Sequence, residues 1–182
     1  MASSSGRRGS TSPLVVGLLL GGIASALGFW LLSGLLTPLG PPARIGLLVV
    51  LALVALADEV LGLGWRWPQN ARQVPQAIRH REPRVAMLQF GFELGTGLRT
   101  FVTSRAPYVI AGVLLLGGLP IVAALAIGVG FGAGRSLMPL TRTWHRGAAD
   151  WDRRLETASR WIKVTATALA GCAATWLAII AA

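Results

Sequence analysis

The chain has 182 residues, 53% of them apolar and 13% charged, with a mean hydropathy of +0.61 and a formal net charge of +10. A soluble domain carries about a quarter charged residues, so this composition points to lipid as the solvent and away from a soluble enzyme. Cys172 is the only cysteine, and His80 and His145 are the only histidines, which excludes an internal disulfide, a CxxC redox pair and a cysteine- or histidine-rich metal centre within one chain.

A helix crosses the hydrocarbon core with about 20 apolar residues. Residues 1–13 are polar and basic, and read as a disordered cytoplasmic tail. Leu14 to Leu36 follows as a first span. Arg7, Arg8 and the small residues Ala24, Ser25 and Ala26 resemble a signal peptide with an A-x-A site, but LGFWLLSGLL carries the apolar run past that site and favours an uncleaved anchor. TPLGPPAR then reads as a tight external turn stiffened by Pro41 and Pro42.

Ile45 to Gly64 is the second span, with Asp58 and Glu59 toward its inner end. A cytoplasmic loop over 65–84 places Trp65 and Trp67 at an aromatic belt, and its prolines prevent one long helix. Val85 to Thr103 is a third span interrupted by polar residues; a re-entrant segment is the alternative. Ala106 to Gly134 is the fourth, with Gly117, Gly118 and Pro120 as a kink. A second cytoplasmic loop covers 135–161, in which Trp144, Ala148, Trp151, Leu155, Ala158 and Ile162 share one face of a surface-lying amphipathic helix. Ile162 to Ala181 is the last span.

The fold class expected is therefore all-α, a polytopic bundle of about five membrane spans over 14–182. Arginine placement agrees with that count. With the N-terminus inside, Arg7, Arg8, the Arg66 to Arg84 group and the Arg135 to Lys163 group are cytoplasmic, and only Arg44 and Arg105 are outside. Removing the third span would put one large basic loop on the wrong face. The expectation is a multi-pass plasma (inner) membrane protein with its C-terminus outside. Its expected partners are the bilayer, anionic lipid headgroups at the basic loops, and a second copy or another membrane protein. Nucleic acid is not expected, because the basic residues lie between apolar runs rather than along one polar domain.

The third span holds the candidate chemistry. Gln89, Glu93, Thr96, Thr100 and Thr103 recur at helical spacing as one polar stripe. Phe90, Leu94, Leu98 and Phe101 form a separate stripe able to face lipid, and Gly91 and Gly95 a third side open to a neighbouring helix. Glu93 is costly in lipid and should face protein or water. Arg99 lies six residues later, outside i,i+4 pairing geometry, and is assigned to the outer interface or to an acid on another helix.

If the second and third spans are neighbours, Asp58, Glu59 and Glu93 reach similar depth and line a proton or cation site, with Gln89 and Thr96 as neutral ligands and Arg99 nearby. The opposing reading gives all of them structural partners between helices. AIGVGFGAGRSLMP is not a phosphate loop: no strand precedes it and no GK[ST] follows, so Gly128 and Gly132 fit helix packing instead.

FGFELGTGLRTFVTSRAPY together with GFGAGRSLMP resembles small polytopic membrane proteins of actinobacterial type, a group whose motifs identify no activity. A more distant similarity is to small transporters and to thiol-electron carriers with repeated helix bundles. The paired cysteines of those carriers are absent here, so only the transporter side carries over. Gly17 and Gly21 echo Gly91 and Gly95. The function expected is a noncatalytic membrane protein, either a transporter-like protein or transporter subunit for an ion or small solute, or a scaffold and assembly partner. No cofactor and no metal is expected.

Overall fold

The computed structural model describes residues 5–68, 82–97, 104–144 and 148–180, with side chains over 11–68, 82–97, 104–141 and 153–177. Among them all regular structure is helical. The order is α1 (Ser5–Ser33, followed by a 3-10 turn Gly34–Leu36), α2 (Pro41–Leu61), α3 (Pro83–Thr96), α4 (Ala106–Leu116), α5 (Ile121–Trp144) and α6 (Ala148–Ile180). Two described stretches, Thr11–Leu36 with mean hydropathy 2.2 and Ile121–Thr141 with 1.7, are long and apolar enough to cross a membrane. Only 33% and 22% of their apolar windows are buried.

Several boundaries differ from the sequence reading. Helix α1 begins at Ser5, taking in most of the tail expected to be disordered, because extending an existing helix needs no new nucleus. Helix α3 stops at Thr96, where Gly97 adopts a left-handed conformation (φ 68°) and its N–H bonds the Leu94 carbonyl, a common helix stop. The rest of the third expected span, including Arg99, Thr100 and Thr103, lies outside the described residues.

The fourth expected span is two helices. Gly118 takes φ +61° and Pro120 cannot continue a hydrogen-bond ladder, so the chain breaks over 117–120 rather than kinking. Much of the expected loop 135–161 is also helix. Helix α5 continues to Trp144, and α6 runs 33 residues from Ala148 without a break at Ile162, where the surface helix was expected to give way to a span. On α6, Leu155 and Ala158 of the expected apolar face are half-buried and Ile162 is exposed.

The chain forms two compact units. The first comprises Met1–Ser25, Gln69–Phe101 and Leu125–Trp151; the second comprises Ala26–Pro68, Val102–Ala124 and Asp152–Ala182. Glycine organises the first. A Cβ at Gly17 would overlap the Leu88 carbonyl and lie 2.7 Å from the Phe92 nitrogen, and one at Gly21 would lie 2.7 Å from the Thr96 nitrogen. Reciprocally, Gly91 faces the Leu14 carbonyl and Gly95 the Leu18 carbonyl. The register rises together on both helices, so α1 and α3 run parallel, backbone against backbone.

On another side of α1, a Cβ at Gly22 would overlap the Gly128 carbonyl, and one at Gly132 would sit 2.6 Å from the Leu18 carbonyl. Here the numbering runs in opposite senses, so α5 is antiparallel to α1. Gly130 and Gly134 meet nothing within 4 Å. On α3 the exposed apolar side chains are Val85, Met87, Leu88 and Phe92, whereas Phe90 and Leu94, expected to face lipid, are half-buried.

The second unit is held at helix ends. Helices α2 and α4 are antiparallel: Arg44 bonds the Leu116 carbonyl at one end, Gly112 contacts Leu48 and Leu51 between, and Arg105 reaches Asp58 at the other. Arg44 and Arg105, both expected outside, therefore occupy opposite ends of the pair. Helix α6 is antiparallel to α2 as well, with Arg160 near Val60 and Gly171 near Ala52. The indole of Trp30 donates to the Leu119 carbonyl at 2.9 Å, fixing the end of α1 to the break after α4.

Candidate functional site

The most connected polar cluster among the described residues lies in the second unit, where α2 ends and α4 begins. Asp58 and Glu59 occupy the last turn of α2, where Gly62 N–H bonds the Asp58 carbonyl, and acids there oppose the helix dipole. Arg105 precedes the first residue of α4, where a cation is equally misplaced. Antiparallel packing brings the two misfits together. Arg105 Nε donates to Asp58 Oδ2 at 2.6 Å, and the Asp58 side chain is fully buried. Arg105 N–H donates to Glu59 Oε2 at 2.8 Å, so a carboxylate from α2 caps the start of α4.

The segment after α2 completes the cluster. Trp65 N–H donates to Asp58 Oδ1 at 3.2 Å and the Trp67 indole to Oδ2 at 2.7 Å, so both carboxylate oxygens are engaged. The Arg105 guanidinium lies 5.6 Å from the Trp67 ring centre, a cation–π distance. The Trp67 and Tyr108 rings are 4.8 Å apart, and the Tyr108 hydroxyl donates to the Pro68 carbonyl at 2.8 Å. This clasp holds a loop and two helix ends, with the charges of Asp58 and Arg105 answered inside one unit.

Glu93 belongs to the first unit. Gln89, one turn earlier on α3, donates from Nε2 to Glu93 Oε1 at 3.1 Å, and Thr96 Oγ1 bonds the Glu93 backbone carbonyl at 2.9 Å. Ser25 of α1 donates to the Thr96 carbonyl at 2.9 Å, satisfying an acceptor at the end of α3. The structure thus groups Gln89, Glu93 and Thr96, and separately groups Asp58 and Glu59 around Arg105. Arg99 lies outside the described residues.

Sequence reasoning missed Arg105, Trp65, Trp67 and Tyr108 as members of the polar cluster. Two signals were present. SRAP announces a helix start, with Ser104 Oγ accepting from Ala106 N–H and proline in the first turn, and a cation at such a start needs an acid. Tryptophan carries an N–H that seeks an acceptor when partly buried, so a belt position was not its only use.

No family model matches the sequence, and no solved structure matches it. The chain is 33% identical over 135 residues to the methylamine utilization protein MauF of Paracoccus versutus. That match takes in 70% of this chain and 46% of the relative, so the chain spans about half the length of the curated protein it matches.

Proposed function

We propose that this chain is an integral membrane helix bundle that serves small-amine utilization without itself catalysing a reaction, as an assembly partner within a larger membrane complex. The observation that carries the partner role is the saturation of Asp58. Its carboxylate is held by Arg105, Trp65 and Trp67, a joint that fixes helix ends and leaves it no role as a carrier of protons or cations. The amine context comes from the methylamine utilization protein to which the chain is similar.

Outward apolar side chains such as Leu53 (61% exposed), Leu169 (71%) and Val122 (72%) suit lipid as the surrounding medium. This reading keeps the five crossings expected from the sequence. Within the first unit α5 runs opposite to α1, and within the second α4 and α6 run opposite to α2. Helix α3, which is capped at Gly97 and packs its backbone against α1, is read as a re-entrant half-helix. Arg105 joins the two basic segments on the cytoplasmic side, and Arg44 stays outside, in keeping with the bias of cytoplasmic loops toward arginine.

A second reading has one specific observation in its favour. Glu93 sits with Gln89 near the end of the half-length α3, and transporters commonly place coupling-ion sites at the ends of discontinuous helices. Passage of a small alkylammonium ion past Glu93 follows from that reading. Deletion of the chain in its native host separates the two. A partner role predicts that amine-oxidising activity is lost even in broken cells and that E93Q restores it. A transport role predicts normal activity in broken cells, loss of methylammonium uptake by intact cells, and no rescue by E93Q. Unchanged growth on methylamine and unchanged activity would remove the amine assignment altogether.

A further inference from the structure

At the opposite end of the α2–α4 pair from the clasp lies a cleft of about 160 Å³, lined by Arg44, Ile45, Leu48, Leu116, Gly117 and Gly118. It belongs wholly to the second unit. Arg44 donates from Nε to the Leu116 carbonyl at 3.0 Å, which fixes the guanidinium and answers a carbonyl at the end of α4. Among the described residues that is its one hydrogen bond, and no carboxylate pairs with it. The Nη groups rest against Gly118, where a Cβ would meet Nη2 at 3.2 Å and Nη1 at 3.5 Å. Glycine is favoured there by its φ of +61°, and a side chain would also crowd the guanidinium.

The backbone beside the guanidinium has a related character. Gly117 is right-handed (φ −71°, ψ −13°) and Gly118 has positive φ, the succession from which anion-holding nests are built. Helix α2 turns its positive end toward the cleft, but Pro41 and Pro42 lack N–H groups and the Gly117 N–H is bonded to the Val113 carbonyl, so the Nη groups of Arg44 are the principal donors. The walls, Ile45, Leu48 and Leu116, are aliphatic.

We propose that this cleft binds a phosphate-type oxyanion, received by the Nη groups of Arg44 and flanked by aliphatic walls that accept the carbon chain attached to it. An Arg fork matches phosphate oxygens in pairs, which a point charge does not. The shared chemistry is the phosphate group. An anionic phospholipid headgroup is the source that the aliphatic walls favour, and that source rests on the membrane reading; free phosphate does not.

The test uses the full chain in a neutral detergent, with native mass spectrometry after adding phosphatidylglycerol, phosphatidylcholine or inorganic phosphate. Phosphatidylglycerol is expected to be retained about tenfold more tightly than phosphatidylcholine, with the preference lost in R44Q, reduced in R44K and kept in R84Q. Displacement of phosphatidylglycerol by inorganic phosphate, or binding of inorganic phosphate alone with the same dependence on Arg44, would identify the free ion as sufficient and leave the oxyanion site intact. Equal retention of the two lipids with no phosphate binding, or an unchanged preference in R44Q, overturns the proposal. If R44Q does not fold, a photoactivatable phosphatidylglycerol on the parent chain decides instead: labelling of 41–48 or 116–118 supports the site, and labelling elsewhere sinks it.

Discussion

The two units solve the same problem, holding helices together where apolar burial supplies little preference between neighbours, by opposite means. In the first, α1 meets α3 and α5 through missing side chains, and the contacts are backbone against backbone. In the second, α2 meets α4 through added charge, with a buried ion pair, a carboxylate cap and the paired Trp67 and Tyr108 rings at one end. The glycine contacts tolerate no added atom. The charged contacts tolerate no removed one.

The largest effect expected follows from the first half of that contrast. Gly17→Ala drives a methyl group into the Leu88 carbonyl, and Gly91→Ala drives one into that of Leu14; neither obstacle is a flexible side-chain end. Each should destabilise the fold by about 3 kcal/mol or more, since overpacking against backbone forces the helices apart. Thermal unfolding in detergent, followed by circular dichroism, measures this. A variant that melts with the parent would mean that the glycine contacts do not set the spacing of α1 and α3.

Next in size is the clasp. Asp58→Asn leaves Arg105 facing a neutral amide in a buried position and should cost about 3 kcal/mol, because one charge of a buried pair is left unanswered. Removing both charges, as D58N with R105Q, should cost less than the sum of the single changes. Additive losses in that double-mutant cycle would show that the two residues act separately. Trp67→Phe keeps the ring beside Tyr108 and removes only the N–H to Asp58 Oδ2; a loss of about 1.5 kcal/mol is expected for a bond to a charged acceptor.

The contrast also explains what the sequence disclosed and what it hid. Helical class was legible from apolar runs, and Gly91, Gly95, Gly128 and Gly132 from their spacing, because periodicity is a local property. Their partners were not. Gly17 and Gly21 read as an echo of Gly91 and Gly95, as if repeated in sequence, whereas in space the two pairs face each other. Asp58 was legible as a site acid toward the inner end of the second span, whereas the arginine pattern puts Arg105 on the opposite face. That assignment came from reading 85–103 as a complete crossing, which carries the chain outside before residue 105. The antiparallel packing of α4 on α2 instead brings Arg105 to the α2 end that holds Asp58. Whether a glycine-proline run bends or breaks a helix depends on how the next helix packs, which no local window contains.

The smallest effect expected has the opposite sign and tests whether position, rather than residue type, gives the glycines of α1 their role. Gly28 lies on the same helix as Gly17 and Gly21, yet a Cβ built there meets nothing within 4 Å. Gly28→Ala therefore adds no clash, and it removes the backbone freedom that makes glycine a poor helix residue. The gain should be about 1 kcal/mol, which for a chain of this length raises the melting temperature by about 2–4 °C. A loss at Gly28 comparable to that at Gly17 would mean that α1 needs glycine along its whole length, for bending or for contact with another chain, and the division between close-packed and open glycines would fail.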